Sequence, residues 1–293
     1  MADQKKAYLF GLATVLLWST VATAFKLSLQ AMRPAQLLFY AGMVSTLVLA
    51  AILASRGGLR DALRCSRAEW LRSLALGALN PFLYYLILFK AYDLLPAQEA
   101  QPLNYTWAIT LALLSIPLLR QRLSRFDLLA VFVGYAGVVV ISTHGDPLGM
   151  RFASPLGVAL ALLSTVVWAL YWIFNTRETR EPVAALFLNF LLGMPLVGLW
   201  CAFFDGFAVA DAVGLFGAAY VGLFEMGITF VLWLTALKYS ENTAKVGNLI
   251  FLSPFLSLVF IHFLLGEEIL PSTYAGLGLI VAGLLLQRAG RRG

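Results

Sequence analysis

Apolar residues run along this chain in long blocks, separated by a few polar or charged positions. A helix needs about 20 mostly apolar residues to cross the hydrocarbon of a bilayer. Ten blocks are of that order: Ala7–Leu29, Ala35–Ala54, Trp70–Tyr92, Ala97–Leu119, Phe126–Ser142, Pro155–Asn175, Val183–Phe204, Asp211–Leu237, Asn242–Leu265 and Ser272–Gln287. The longest link, Ser55–Glu69, leaves no room for a soluble domain. The pattern predicts an all-α integral membrane protein with ten transmembrane helices. Lys5, Lys6 and Ala22-Thr23-Ala24 imitate a secretory signal, but apolar residues continue past that point, so the first block is read as a retained span.

Composition agrees. Of 293 residues, 61% are hydrophobic and 12% charged, against about 25% charged in a soluble domain. Lys and Arg sit on one side of the predicted spans. Segments on the N-terminal side hold fifteen of them, and the opposite loops hold only Arg33 and Arg151. Cytoplasmic loops carry the basic excess, so both termini are placed in the cytoplasm. The net charge of +6 is thus a topology signal, scattered over separate segments, where nucleic-acid binding would need one basic face. Cys65 and Cys201 offer neither a disulfide framework nor metal-ligand spacing. No metal site and no cofactor is expected.

The chain also repeats itself weakly. A shift of 145 residues aligns Gly77 with Gly222, Asn80 with Glu225, Ala91 with Ala236 and Pro102 with Gly247, and Ala136-Gly137 matches Ala282-Gly283 at 146. The expected domains are two five-helix repeats, residues 1–146 and 147–293. Five is odd, so the second enters the membrane from the opposite side. Inverted repeats around a central, midplane cavity are a transporter architecture.

Polar residues at membrane depth are costly unless they face protein or water. The fourth block opens Ala97-Gln98-Glu99-Ala100-Gln101-Pro102-Leu103-Asn104-Tyr105-Thr106-Trp107, and Gln101 and Asn104 share a helical face. Its counterpart in the ninth block carries Lys245, Gly247 and Asn248. Asn80-Pro81 is expected to break the third block, with Tyr84 on the face of Asn80. Glu225, Thr229 and Trp233 form one stripe of the eighth, and Glu225 reads as the only carboxylate deep in a span. Trp70 and Trp200 read as interfacial, whereas Tyr84, Trp107, Trp168, Trp172 and Trp233 lie deeper. Packing explains each of these aromatics singly; as a group they could line a pocket.

Several runs resemble the drug/metabolite transporter superfamily in its ten-span EamA-like branch: Trp18-Ser19 followed by Lys26, Trp168-Ala169-Leu170-Tyr171, and Leu252-Ser253-Pro254-Phe255 followed by Leu265-Gly266-Glu267. The run Leu103–Trp107 is most similar to that of the YddG-type aromatic amino acid exporters. The resemblance implies small-molecule efflux across a bacterial inner membrane. Together with the residues, it points to a secondary transporter exporting aromatic or large apolar amino acids by alternating access, as a monomer among membrane lipid. Asn80, Tyr84, Gln101, Asn104, Trp107, Trp168, Glu225 and Asn248 are the candidate substrate-binding residues, with Pro81, Pro102 and Gly247 as hinges. The alternative is a multidrug or other metabolite exporter for a cationic substrate, with Glu225 as counter-charge. An enzyme is disfavoured: no HExxH, GxSxG or paired carboxylate stands within a span, and two histidines, His144 and His262, are too few for a metal centre.

The Lys/Arg asymmetry predicts that reporter fusions at Gly293 and Gly145 fall on opposite sides of the membrane. The same side for both would remove the inverted repeat.

Overall fold

The computed structural model describes residues 3–120, 125–149, 152–175, 178–209, 211–240 and 248–290, and every regular element in them is helical. Seven helical stretches are long and apolar enough to cross a bilayer: Gln4–Leu29, Pro34–Ser55, Arg67–Leu94, Ala97–Leu119, Pro155–Asn175, Pro182–Asp205 and Ala212–Tyr239. Three shorter apolar helices, Leu128–Ser142, Ser253–Leu265 and Pro271–Leu286, account for the remaining predicted blocks.

Besides the seventh, which ends in a π turn, four of these stretches are built from pieces. In the third, α4 (Arg67–Gly77) and α5 (Tyr84–Leu94) flank a π-helical stretch, Ala78–Leu83, in which Asn80 is extended (φ −142°, ψ 115°) and joined to Pro81 by a cis bond. Sequence explains the break: the residue before a proline avoids the α region, and Pro81 has no N–H to donate. The fourth divides into α6 (Ala97–Tyr105) and α7 (Trp107–Leu119). The helix runs through Pro102, and the interruption falls at Thr106, whose N–H and hydroxyl both reach the Leu103 carbonyl, at 3.2 and 2.8 Å.

The eighth divides into α11 (Ala212–Phe224) and α12 (Ile228–Tyr239) around the turn Glu225–Gly227. The expected single stripe Glu225, Thr229, Trp233 is therefore corrected: the helix stops between its first two members. The Thr229 hydroxyl donates to the Phe224 carbonyl (2.5 Å), and Ser45 donates to that of Met226 (2.9 Å). The ninth comprises a 3₁₀ turn (Asn248–Leu252), α13 (Ser253–Phe260) and a π turn (Ile261–Leu265). Lys245 and Gly247 lie outside the described residues.

The other helices are α1 (Gln4–Leu29), α2 (Pro34–Ser55), α8 (Arg125–Ser142), α9 (Pro155–Asn175), α10 (Pro182–Trp200, followed by a π turn, Cys201–Asp205) and α14 (Pro271–Gly290). A short α3 (Leu59–Leu63), which hydropathy did not signal, occupies the longest link.

The chain forms two compact units, Met1–Phe82 with Thr179–Leu265, and Leu83–Glu178 with Gly266–Gly293. Each takes segments from both halves of the sequence. In the first, α1 packs on α11, α12 and α13, and α2 and α4 pack on α10. In the second, α9 packs on α5, α6 and α7, and α8 lies along α14. Helices in lipid gain from close backbone approach at small residues. Gly77 and Gly193 provide it in the first unit: a Cβ on Gly77 would stand 2.3 Å from the Asn189 carbonyl oxygen. Gly137 and Gly276 provide it in the second, where added Cβ atoms would stand 2.4 and 2.6 Å from the partner glycine's carbonyl oxygen.

Gly276→Leu should destabilise the protein by about 1–3 kcal/mol or more through overpacking. Gly278→Leu, two residues on and facing open space, should be tolerated. Thermal unfolding of both variants in detergent checks the contrast.

Candidate functional site

Within the second unit, Tyr84 opens α5, Asn104 lies in the last turn of α6, and Ser164 and Trp168 stand one turn apart on α9. Spacing of four residues puts Ser164 and Trp168 on one face, and α9 packs against both α5 and α6. The Tyr84 and Trp168 rings stack at 4.5 Å between centroids, and Trp168 continues onto Tyr171 (5.5 Å, stacked) and Trp172 (5.8 Å, edge-on). The Asn104 amide donates to Ser164 Oγ at 3.0 Å, and its carbonyl oxygen accepts from the Tyr84 hydroxyl at a long 3.4 Å. Ser164 donates in turn to the Ala161 carbonyl (2.6 Å), which fixes the amide's orientation and leaves its oxygen weakly engaged.

One turn beyond the Thr106 break, hydroxyls continue this polar seam. Thr110 Oγ1 lies 2.9 Å from Thr165 Oγ1 and 3.2 Å from the Tyr135 hydroxyl. Two further groups lack partners among the described residues: the carbonyl oxygen of Gln101, a residue 5% exposed, and the Trp172 indole N–H. A buried polar group left unpaired costs about 1–3 kcal/mol, so both are receptive to a ligand or water. The unit thus holds one vacant acceptor, one vacant donor, a half-engaged amide and a run of stacked rings, of which Tyr84, Trp168 and Tyr171 are buried.

The structure brings Tyr84, Asn104 and Trp168 together, and adds Ser164, Thr110, Tyr135 and Thr165, which the sequence reading did not single out. Trp107, half-buried, opens α7. Asn80 and Glu225 belong to the other compact unit. Asn80 is 1% exposed, and its carbonyl oxygen has no hydrogen-bond partner among the described residues. Glu225 is half-buried and sits at the interruption of the eighth segment. Asn248 begins the 3₁₀ turn, and its side chain lies outside the description. Pro81 follows the break of the third segment, and Pro102 is buried within α6.

Glu99, in the first turn of α6, is a second carboxylate away from solvent, 2% exposed. Glu99 Oε1 lies 2.8 Å from His144 Nε2 in the loop after α8. Its neighbours at the start of α6 also do structural work. The N–H groups of Ala97 and Gln98 donate to the two carboxylate oxygens of Glu267, at 2.9 and 3.1 Å. The Gln98 side-chain oxygen accepts from the Leu270 N–H and the Thr273 hydroxyl, at 3.0 and 3.1 Å, at the start of α14. Its amide donates to the Glu268 carbonyl (2.7 Å). Helix N-termini leave N–H groups unpaired, and here two helices cap each other. The polar opening Ala97–Trp107 is thus two things, a clamp at Ala97 and Gln98 with Glu99 paired to His144, and a polar seam from Gln101 onward.

The EamA-like transporter family model matches residues 5–143 and 155–288. An uncharacterized transporter of Archaeoglobus fulgidus is 25% identical over 97% of this chain and 98% of its own length. The aromatic amino acid exporter YddG of Ancylobacter novellus is 26% identical over 88% of each chain. A probable terminal-alkyne amino-acid exporter of Streptantibioticus cattleyicolor is 27% identical over 93% of this chain and 90% of its own. One solved crystal structure at 25% identity covers 99% of both chains with a TM-score of 0.69.

Glu267→Ala removes the cap of α6 and should lower stability by about 1–2 kcal/mol, while Glu268→Ala, at an exposed neighbour, should have little effect. Equal melting temperatures for the two would show that the cap contributes nothing.

Proposed function

As a member of the EamA-like transporter family, to which this chain belongs, it is a transporter and not an enzyme, and we propose that it exports aromatic or large apolar amino acids by alternating access. The observation that carries this reading is the Tyr84–Trp168 stack beside the Asn104 amide that Ser164 holds. Offset stacking on such a shelf adds about 0.5–1.5 kcal/mol beyond the area buried, which favours a flat side chain. Neutral amides and an indole N–H can bond an ammonium and a carboxylate together without a fixed counter-charge. That suits a zwitterion, and it suits a carrier, which must also release what it binds. Two relatives named as amino-acid exporters support the substrate class.

In this reading the ten apolar segments are spans in two inverted five-helix repeats, residues 1–146 and 147–293, around a central cavity. The protein is a monomer in a bacterial inner membrane with both termini cytoplasmic. Three observations support the repeat. The third and eighth segments are interrupted at Asn80 and at Glu225, the positions paired by the 145-residue shift. The fifth and tenth helices, α8 and α14, meet at small residues. The family model matches two successive stretches of similar length. The candidate substrate-binding residues of this reading also include Asn80, Gln101, Trp107, Glu225 and Asn248, with Pro81, Pro102 and Gly247 as hinges.

Purified protein in liposomes should exchange labelled phenylalanine or tryptophan. Asn104→Leu should cut exchange about tenfold, the worth of one lost hydrogen bond near 1.4 kcal/mol. Trp168→Ala should erase the preference for phenylalanine over alanine. No exchange of any amino acid by the parent protein, with transport of a lipophilic cation instead, would replace this reading by that of a cation exporter.

A further inference from the structure

Four helices of the first unit end around a cavity, far in sequence from the seam described above. The segment α2 stops at Ser55, α4 starts at Arg67, α10 starts at Pro182 and α12 stops at Tyr239. Between them lies a cavity of about 530 Å³ bordered by Arg56, Arg64, Arg180 and Lys238, with Leu53 and Ala184 among its apolar walls. Pockets of about 300–1,000 Å³ are the size that holds small ligands, so the space exceeds what a bare ion needs.

Carboxylates border it too, but each is already engaged. Asp61 lies 3.7 Å from Arg64. Glu69 accepts from the Ser66 N–H and hydroxyl, both at 2.7 Å, in the capping box of α4. Glu181 accepts from the Ala184 N–H at 2.7 Å and caps α10. The Arg180 guanidinium is held in place: it donates to the fully buried Ser73 hydroxyl at 2.8 Å and lies 3.8 Å from Cys65 Sγ. Arg56 and Lys238 have no ion-pair partner among the described residues. A positioned guanidinium, two uncommitted cations and apolar walls make a receptor for an amphiphile with an anionic head.

The depth of the cavity selects among such molecules. It lies where four apolar segments give way to basic loops, the level of lipid headgroups, and basic pockets at helix ends on that side of a membrane bind anionic headgroups. We propose that this cavity binds the phosphate of an anionic phospholipid headgroup, with Arg56, Arg180 and Lys238 as its cationic contacts. The proposal is independent of the substrate assigned to the transport site.

Cys65 is a built-in reporter, because it borders the cavity, whereas Cys201, the other cysteine, is fully buried. The protein in phosphatidylcholine nanodiscs is treated with an uncharged water-soluble maleimide, and labelling of Cys65 is followed with and without phosphatidylglycerol in the disc. Phosphatidylglycerol should slow labelling about threefold or more, the factor expected at two Kd of ligand. Arg56→Gln/Lys238→Gln should abolish that protection, while Arg60→Gln/Arg67→Gln, with equal charge removed from the same face outside the cavity, should keep it. Loss in both double variants would assign the effect to general surface potential, and retention in both would show that Arg56 and Lys238 do not hold the headgroup; either result overturns the site. Single Arg56→Gln and Lys238→Gln variants, each expected to lose part of the protection, replace the double variant if it does not fold. Equal protection by inorganic phosphate in phosphatidylcholine discs would overturn the lipid and leave a free phosphate as ligand. No protection by either would overturn the site altogether.

Discussion

A backbone N–H or carbonyl in hydrocarbon must find a partner within the protein, since no water stands by to take it. Continuous helices meet this demand by themselves, so every interruption needs a named donor or acceptor. At Thr106 the threonine's own hydroxyl bonds back to Leu103, and at Glu225–Gly227 the hydroxyls of Thr229 and Ser45 serve the carbonyls of Phe224 and Met226. At the starts of α6 and α14 the partners are Glu267 and Gln98. Side-chain hydroxyls and carboxamides thus stand where helices break or begin. The polar seam of Asn104, Ser164 and Thr110 opens beside one such break, where hydrogen-bonding groups are already present in an otherwise apolar interior.

Neutrality of the seam follows from the same economy. A charge at the centre of a bilayer costs several kcal/mol more than an amide or hydroxyl, and the polar groups of this seam, Asn104, Ser164, Thr110 and the Trp172 indole, are all neutral. Aromatic stacking then supplies contact area without fixed charge. On the proposed function, such a carrier distinguishes ligands by shape and by hydrogen-bond count, and Tyr84, Trp168 and Tyr171 are the stacked rings of its unit.

Hydropathy made the apolar segments legible, with ends within a few residues of the helices except at the start of the ninth, where Asn242 lies outside the described residues. Asn80-Pro81 also declared its break, because proline acts through local geometry. The eighth segment did not: Glu225-Met226-Gly227 has no proline, and the hydroxyl that supports the turn comes from Ser45, 181 residues away. Tyr84, Asn104 and Trp168 were readable as polar or aromatic positions on deep faces. Ser164 was not, since a serine or threonine in an apolar helix ordinarily bonds to its own backbone, as Thr14, Ser19 and Ser28 do here. The roles of Gln98 and Glu99 were not legible either, because their partners Leu270, Thr273 and His144 lie far along the chain.

The mutual capping of α6 and α14 also sets an order of assembly. Ala97 and Glu267 are 170 residues apart, so the fourth segment leaves the ribosome long before its cap is synthesised. Until α14 arrives, the first N–H groups of α6 must stay hydrated at the membrane surface, and the compact unit that holds the stacked rings lacks one of its helices. Completion of that unit is therefore a late event in biogenesis, tied to insertion of the last segment rather than to the segments that bear the rings.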